Sequence, residues 1–401
     1  MISGDKEMRF SSKIEKIECS EVSKLTQIVS ENNWTDVITM AGGEPQYKPY
    51  EVCINKLEDS LLAGYNKYPP FGGYKSLLKK INTKLFDKNN ILVNDKEIYI
   101  VPGGASAIYT SLLTVLDDGD EVLIQDPCWE HYPNIIRLAG GVPKQFNMIE
   151  EENHYSFDWV HLEQCITDRT KVILINTPLN PCGSIINNKE AEKLIEIAKK
   201  YDLIIISDEE YEDFVYTKNE WISPASISTN VITLHSFSKG FALTGIRLAY
   251  LSGPREFIDR LHKTSLYSFM FPSSISQYIV EQVLSNDYKS YLEKYRKYMM
   301  ERMLFIYKGI SEIEGLKCRM PEAGLYLFIS VNELGISGYE FSQRLLYNQH
   351  LLTVPGEGSG NQGQGKIRVF IGLEFEILSE AIKRIKEEVN QIRLENGNGK
   401  K

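Results

Sequence analysis

The sequence feature that most constrains the fold is an alternation of short apolar runs with longer amphipathic segments, between about residues 95 and 250. The runs EIYIV, EVLIQ, KVILIN, LIIISD, VITLHS and IRLAYLS are rich in Ile, Val and Leu. Between two of them, KEAEKLIEIAKKY has the apolar spacing of an amphipathic helix. Short buried strands that alternate with helices predict an α/β fold: a large domain with a mostly parallel central sheet flanked by helices.

The pattern changes after about residue 285. YLEKYRKYMMERMLFIYKGI is a candidate long helix, GLYLFISV and KIRVFIGL are candidate strands, and ILSEAIKRIKEEVNQI is a candidate closing helix. This order indicates a smaller α+β domain. We therefore predict a large domain over residues 46–290, and a small domain made of residues 1–45 together with 291–401.

Composition excludes several classes of protein. The 401 residues carry a net charge of -9 and contain no block of Lys and Arg, which argues against a nucleic-acid partner. The six cysteines are scattered without metal-ligand spacing, so no metal site is expected. The N-terminal stretch lacks the apolar core of a signal peptide, and no apolar run approaches the ~20 residues of a membrane span. We expect a cytoplasmic protein without a membrane partner.

Polar residues follow the predicted strands, where parallel sheets bind their ligands. In VPGGASA, a Gly-Gly turn before a helix allows backbone N–H groups to approach an anion, although it also suits a plain tight turn. Trp129 follows the next strand, where its ring could form a flat wall for an aromatic ligand or could simply pack within the protein. Asn180 stands in NTPLNPCG, where it could donate a hydrogen bond into a cleft or simply form a turn.

Two further strand ends carry stronger signals. Asp208 closes LIIISD, where a carboxylate costs free energy unless a cation or a donor meets it; an N-cap role is the simpler alternative. Lys239, in SFSKGFALTGIR, has no obvious carboxylate partner nearby in the sequence. A partly desolvated lysine becomes a nucleophilic amine that forms Schiff bases with aldehydes, whereas most lysines lie at the surface. An amine, a carboxylate and an anion turn together match the needs of a pyridoxal phosphate site.

Along the chain, the motifs PGGASA, NPCG, DEEY and SFSKGFALTGIR resemble those of the class I/II aminotransferases, the aspartate aminotransferase-like superfamily of fold-type I, in the order in which that family has them. The resemblance extends from about residue 38 to 385. It implies a pyridoxal 5′-phosphate enzyme that moves an amino group between an L-amino acid and a 2-oxo acid through an aldimine on Lys239. It also implies catalytic roles for Lys239, Asp208 and Tyr211, with Asp208 on the pyridinium nitrogen.

The same resemblance implies the remaining site residues. Those expected to bind the cofactor, besides the catalytic three, are Gly104 and Ala105 by backbone N–H groups, Ser236 and Arg247 at the phosphate, Trp129 on the ring and Asn180 on the phenolic oxygen. Arg368, in GKIRVFIG, is expected to bind the substrate α-carboxylate with Gly43 and Asn180. YNKYPPFGGYKSL is similar to a stretch that reaches the other subunit, which implies a homodimer in which Tyr68 contacts the partner's phosphate site.

The sequence leaves the reaction and the substrate open. Relatives that use aspartate carry a Lys where this chain has Ala105, or an Arg from the neighbouring subunit where it has only Lys263. A β-lyase, an elimination of the 1-aminocyclopropane-carboxylate synthase type or a decarboxylase would use the same scaffold residues. A ligand-sensing protein without turnover is a third alternative, which the presence of Lys239, Asp208 and Arg368 together argues against.

Overall fold

The computed structural model describes residues 8–152, 154–218 and 221–398. The β-strands of this part are β1 (Ile38–Thr39), β2 (Ile98–Val101), β3 (Glu121–Asp126), β4 (Val142–Glu150), β5 (Tyr155–Phe157), β6 (Thr170–Asn176), β7 (Ile204–Asp208), β8 (Val231–Ser236), β9 (Ala249–Ser252), β10 (Lys317–Cys318), β11 (Tyr326–Ser330), β12 (Leu351–Leu352), β13 (Val354–Pro355) and β14 (Lys366–Phe370).

The α-helices of the described residues are α1 (Ser12–Glu15), α2 (Glu21–Glu31), α3 (Glu51–Ile54), α4 (Lys56–Leu62), α5 (Lys75–Asn89), α6 (Gly104–Val115), α7 (Tyr132–Leu138), α8 (Trp159–Cys165), α9 (Asn188–Lys200), α10 (Arg255–Ser268), α11 (Ser274–Leu284), α12 (Tyr288–Ser311), α13 (Gly338–Gln349) and α14 (Phe375–Asn398). Short 3-10 helices span Asp95–Glu97, Pro224–Ser226, Thr244–Ile246, Asn332–Leu334, Gly356–Ser359 and Asn361–Gly363. No helix in these described ranges is long and apolar enough to cross a membrane.

The predicted α/β fold class is confirmed. Within the described residues, eight strands form one sheet in the order β2-β9-β8-β7-β6-β3-β4-β5. The pairs from β8 through β7, β6 and β3 to β4 are parallel, whereas β9 runs antiparallel to both of its neighbours and β5 runs antiparallel to β4. Each apolar run seen in the sequence forms a strand, and β4 and β5 extend the sheet beyond those runs.

Helices cover both faces of this sheet, which explains why its central strands are almost continuously apolar. Val122 and Ile124 of β3 pack with residues of α6 and α10 on one face. Leu123, between them, packs on the other face with Leu194 and Ile197 of α9. Successive side chains of a strand point to opposite faces, so one run of apolar residues supplies two cores.

Helix α9 shows why the sequence between two strands forms a helix. The Asn187 side chain accepts a hydrogen bond from the Glu190 N–H, and the Glu190 side chain accepts one from the Asn187 N–H, both at 3.1 Å. This capping box pairs two backbone donors at the helix start. Lys199 and Lys200 occupy the last turn, where cations complement the helix dipole.

The C-terminal part contains an antiparallel sheet in the order β10-β11-β14-β13. It packs against α12, α13 and α14 in a core of its own. The short strand β1 pairs with β12, which joins the N-terminal segment to this part of the chain. The division into residues 46–290 and residues 1–45 with 291–401 stays a prediction, and residues 1–7 and 399–401 of it lie outside the described residues.

Candidate active site

The central sheet brings the polar strand ends together. The neighbouring strands β8, β7, β6 and β3 are parallel, so their carboxyl ends lie along one edge. A cavity of about 220 Å³ opens at this edge. The residues expected from the sequence that line the cavity are Gly43, Trp129, Asn180, Asp208, Tyr211, Lys239 and Arg368.

Lys239 follows β8 and is half-buried. Its Nζ donates a hydrogen bond to the carbonyl oxygen of Gly43 at 2.7 Å. Within the described ranges, its ammonium forms no ion pair with a carboxylate. A Cβ added to Gly43 would lie 3.2 Å from this Nζ and would clash with the Tyr326 hydroxyl. Glycine at position 43 therefore keeps the space around the amine open.

Asp208 ends β7 and is buried at the floor of the cavity. Its Oδ2 accepts a hydrogen bond from the Tyr132 hydroxyl at 2.7 Å, and its Oδ1 accepts one from the Glu210 N–H at 3.1 Å. Burial raises the pKa of Asp208 to about 7, and the negative charge of Glu210 adds to this shift. A buried cationic donor at this carboxyl would stabilise its ionised form.

Asn180 connects two other predicted residues. Its Nδ2 donates a hydrogen bond to the Tyr211 hydroxyl at 3.2 Å, and its Oδ1 accepts one from Nη1 of Arg368 at 3.0 Å. Its backbone N–H donates to the Asn176 side chain at 2.7 Å, which fixes the turn. Burial raises the pKa of Tyr211, so this phenol keeps its proton and can donate.

The guanidinium of Arg368 is held in a position from which it can bind an anion. It is buried on β14, stacks on the Tyr326 ring with 4.2 Å between Cζ and the ring centroid, and donates from Nη2 to the Ala41 carbonyl at 3.2 Å. Its Nε is buried and has no hydrogen-bond partner in the described part of the chain. A buried unpaired donor on a cation points to a ligand with a carboxylate.

A second anion site lies at the start of α6. Gly103 precedes the helix with φ +91°, and a Cβ on it would clash with Nη2 of Arg247 and lie 2.9 Å from its Cζ. Arg247 itself has φ +51° and donates from Nη1 to the Thr244 carbonyl at 2.8 Å. The first-turn N–H groups of a helix and an arginine form a suitable cradle for a phosphate. Gly104 and Ala105 belong to that first turn.

Trp129, Ser236 and Tyr68 complete the predicted set. Trp129 is half-buried in the cavity wall, where its ring packs edge-on against Tyr132 at 5.3 Å between centroids. Ser236 is the last residue of β8, and its Oγ accepts a hydrogen bond from the Ser238 N–H at 3.1 Å. Tyr68 is 79% exposed and lies beside Phe271 rather than in the cavity of its own chain.

The cavity also contains residues that the sequence reasoning did not identify. They are Val22, Ala41, Gly42, Glu130, His131, Tyr132, Asn176, Glu210 and Tyr326. Tyr132 could have been found, because it comes three residues after Trp129 in the same strand-end segment. Tyr326 could not, because nothing in the apolar strand GLYLFISV indicates that one of its side chains reaches the cavity.

The donor set fits the cofactor that the resemblance implies. The cavity offers an amine that pairs with no carboxylate of the described residues, a buried carboxyl, and a hydroxyl paired with an amide. Arg247 and the start of α6 suit a phosphate, and the unpaired Nε of Arg368 leaves a separate place for a substrate carboxylate. These features are seen in the contacts of this structure and do not depend on the resemblance of the motifs.

Comparisons with known proteins agree with this fit. The profile of the family described as aminotransferase class I and II matches residues 35–385. An aspartate aminotransferase of Pyrococcus abyssi is 32% identical over 96% of this chain and 100% of its own. An aromatic-amino-acid aminotransferase of Thermococcus litoralis is 30% identical over the same shares. The solved structure of a mutant Thermus thermophilus aspartate aminotransferase is similar with a TM-score of 0.90 and 27% identity, over 95% of this chain and 100% of that one.

Proposed function

The chain belongs to the class I and II aminotransferases, and from that premise we propose that it moves an amino group between an L-amino acid and a 2-oxo acid, with pyridoxal 5′-phosphate carried on Lys239. The observation that supports this most strongly is the shared cavity of three groups. They are the Lys239 amine at the Gly43 carbonyl, the buried carboxyl of Asp208 and the buried guanidinium of Arg368 with its unpaired Nε.

Each residue has a distinct part in holding the cofactor. When bound, pyridoxal 5′-phosphate supplies an aldehyde for the amino group and a ring that accepts electrons from the substrate Cα. Asp208, fixed by Tyr132, would keep a proton on the ring nitrogen. Tyr211 and Asn180 would donate hydrogen bonds to the phenolic oxygen. The N–H groups of Gly104 and Ala105, with Ser236 and Arg247, would hold the phosphate, and Trp129 would cover the ring.

Lys239 would also move the proton in the reaction. A general base must lie within reach of the proton that it takes. Nζ of Lys239 lies in the cavity and donates to the Gly43 carbonyl, and the Arg368 guanidinium, which would hold the substrate carboxylate, donates to the carbonyl of Ala41, two residues before Gly43. This Nζ would be the base for the substrate Cα proton.

The experiment that tests the proposal is a panel of L-amino acids with the purified full-length protein, pyridoxal 5′-phosphate and a 2-oxo acid. Because relatives act on aspartate and on aromatic amino acids, the panel includes aspartate, glutamate, phenylalanine and tyrosine. We expect at least one donor to yield its 2-oxo acid without release of ammonia. Release of ammonia or carbon dioxide as the main product would favour elimination or decarboxylation, and binding without turnover would favour a sensor.

We further propose that the protein is a cytoplasmic homodimer in which Tyr68 reaches the phosphate site of the partner. Tyr68 and Phe71, 79% and 52% exposed, pack against Phe271 at 5.2 and 4.9 Å between ring centroids and form an apolar surface. Such exposed aromatic groups are typical of protein interfaces. Sedimentation equilibrium is expected to give twice the 45.9 kDa chain mass, and a single-chain mass would contradict the dimer.

A further inference from the structure

Glu210 is an acid of the cavity that the proposed function does not use. It lies two residues after Asp208, and its N–H donates to that carboxyl at 3.1 Å. Its side chain turns toward the start of α6: a Cβ placed on Gly104 would lie 3.8 Å from Oε2 and 3.9 Å from Oε1. Both oxygens of one carboxylate therefore face the first residue of that helix.

The surroundings of this carboxylate are those of the proposed phosphate site. Gly103 and Gly104 are adjacent, and the Arg247 guanidinium packs against the first of them as Glu210 packs against the second. A phosphate held by the first-turn N–H groups of α6 and by Arg247 would thus have a carboxylate as a close neighbour. Two like charges a few ångström apart repel each other appreciably even at the surface of a protein.

No cation of the described residues forms an ion pair with Glu210. Its carboxylate has no Lys, Arg or His nitrogen of the described residues within 4.0 Å. The cations of the proposed site, Lys239, Arg247 and Arg368, are assigned to the cofactor and the substrate. Its charge is already felt by a neighbour, because it contributes to the raised pKa of Asp208. The positive end of the α6 dipole also attracts the Glu210 carboxylate toward Gly104.

We propose that Glu210 is a positioning residue that lowers the affinity of this protein for pyridoxal 5′-phosphate by repelling the phosphate. The inference rests on the proposed function, because it assumes that the start of α6 binds that phosphate. Its consequence is a cofactor that exchanges with solution more readily than the rest of the site would allow. Replacing Glu210 by the neutral Gln, which has nearly the same shape, removes this repulsion.

The test compares two ligands that differ only in the phosphate. The full-length protein is dialysed free of cofactor and titrated with pyridoxal 5′-phosphate and with pyridoxal, following protein fluorescence. We expect Glu210→Gln to lower the Kd for pyridoxal 5′-phosphate roughly tenfold, and to change the Kd for pyridoxal by less than about twofold. The control Glu340→Gln removes an exposed acid from the first turn of α13 and should change neither.

The outcomes separate this inference from the proposed function. Weaker binding of pyridoxal 5′-phosphate by Glu210→Gln, or an equal change for both ligands, would overturn the inference; the second result would place the effect at the ring through Asp208. If the wild-type protein binds the cofactor and transaminates but Glu210→Gln has an unchanged Kd, only this inference fails. If the wild-type protein does not bind the cofactor, the proposed function fails with it. Thermal unfolding of each variant checks that the fold is retained.

Discussion

Lys239→Ala is expected to lower transamination by about 10⁴-fold or more, because it removes the amine proposed to carry the cofactor and the base proposed to move the Cα proton. The fold should be retained, since the side chain is half-buried and its one hydrogen bond within the described residues goes to the Gly43 carbonyl. The measurement is the initial rate with the best donor of the amino-acid panel, at saturating pyridoxal 5′-phosphate. Lys193→Ala is the matched control, because that lysine is also half-buried and lies on α9, outside the cavity, where it pairs with Glu196.

Two features of the Lys239→Ala result would distinguish chemistry from misfolding. The variant should still bind pyridoxal 5′-phosphate through the other predicted contacts, but lose it on gel filtration because no covalent bond retains it. Turnover within about tenfold of the wild-type rate would contradict the role of Lys239. A protein that unfolds at a much lower temperature than Lys193→Ala would require repetition with Lys239→Gln, which keeps a hydrogen-bond donor near Gly43.

Arg368→Ala is expected to lower kcat/KM for the amino-acid donor by roughly 10²–10³-fold, mainly through KM. The physical reason is the loss of a buried guanidinium whose Nε finds no partner among the residues that the structure describes and whose Nη1 donates to Asn180 at 3.0 Å. The absorption of the bound cofactor should stay the same, because the residues proposed to hold it are unchanged. Steady-state kinetics and an absorption spectrum of each variant provide the two readouts.

The control for this prediction is Arg393→Ala, which removes an exposed arginine paired with Glu314. If the donor KM of Arg368→Ala stays within about threefold of the wild-type value, the proposed binding of substrate by Arg368 is contradicted. Arg368→Lys keeps the charge but loses the planar fork of donors, so an intermediate effect is expected. A lost cofactor spectrum in Arg368→Ala would instead show that the Asn180 contact serves the cofactor.

The sheet could be predicted from the sequence because its signals are local. Each apolar run from EIYIV to IRLAYLS forms a strand, and residues directly after four of the strands line one cavity. The antiparallel direction of β9 could not be predicted, since an apolar run carries no sign of its direction. The roles of Lys239, Asp208 and Arg368 came from motifs, and the structure adds the contacts through which they would act.

The residues that the sequence did not identify depend on contacts between distant segments. Tyr326 contacts Arg368 and limits the space at Gly43, but these three residues lie on different elements of the chain. Glu210 belongs to the DEEY motif, yet only the fold shows that its carboxylate faces Gly104 rather than solvent. Local patterns therefore predicted which strand ends line the cavity, whereas the contacts between their side chains needed the three-dimensional structure.

The most direct test of the central claim is to find the lysine that bears the cofactor. The full-length protein is saturated with pyridoxal 5′-phosphate, treated with borohydride to make the linkage permanent, and digested for peptide mass spectrometry. We predict the added mass on Lys239, in the peptide that contains SFSKGFALTGIR, and its disappearance when an amino-acid donor is added before the borohydride. A stoichiometric adduct on another lysine, or none on Lys239 at saturation, would contradict the account.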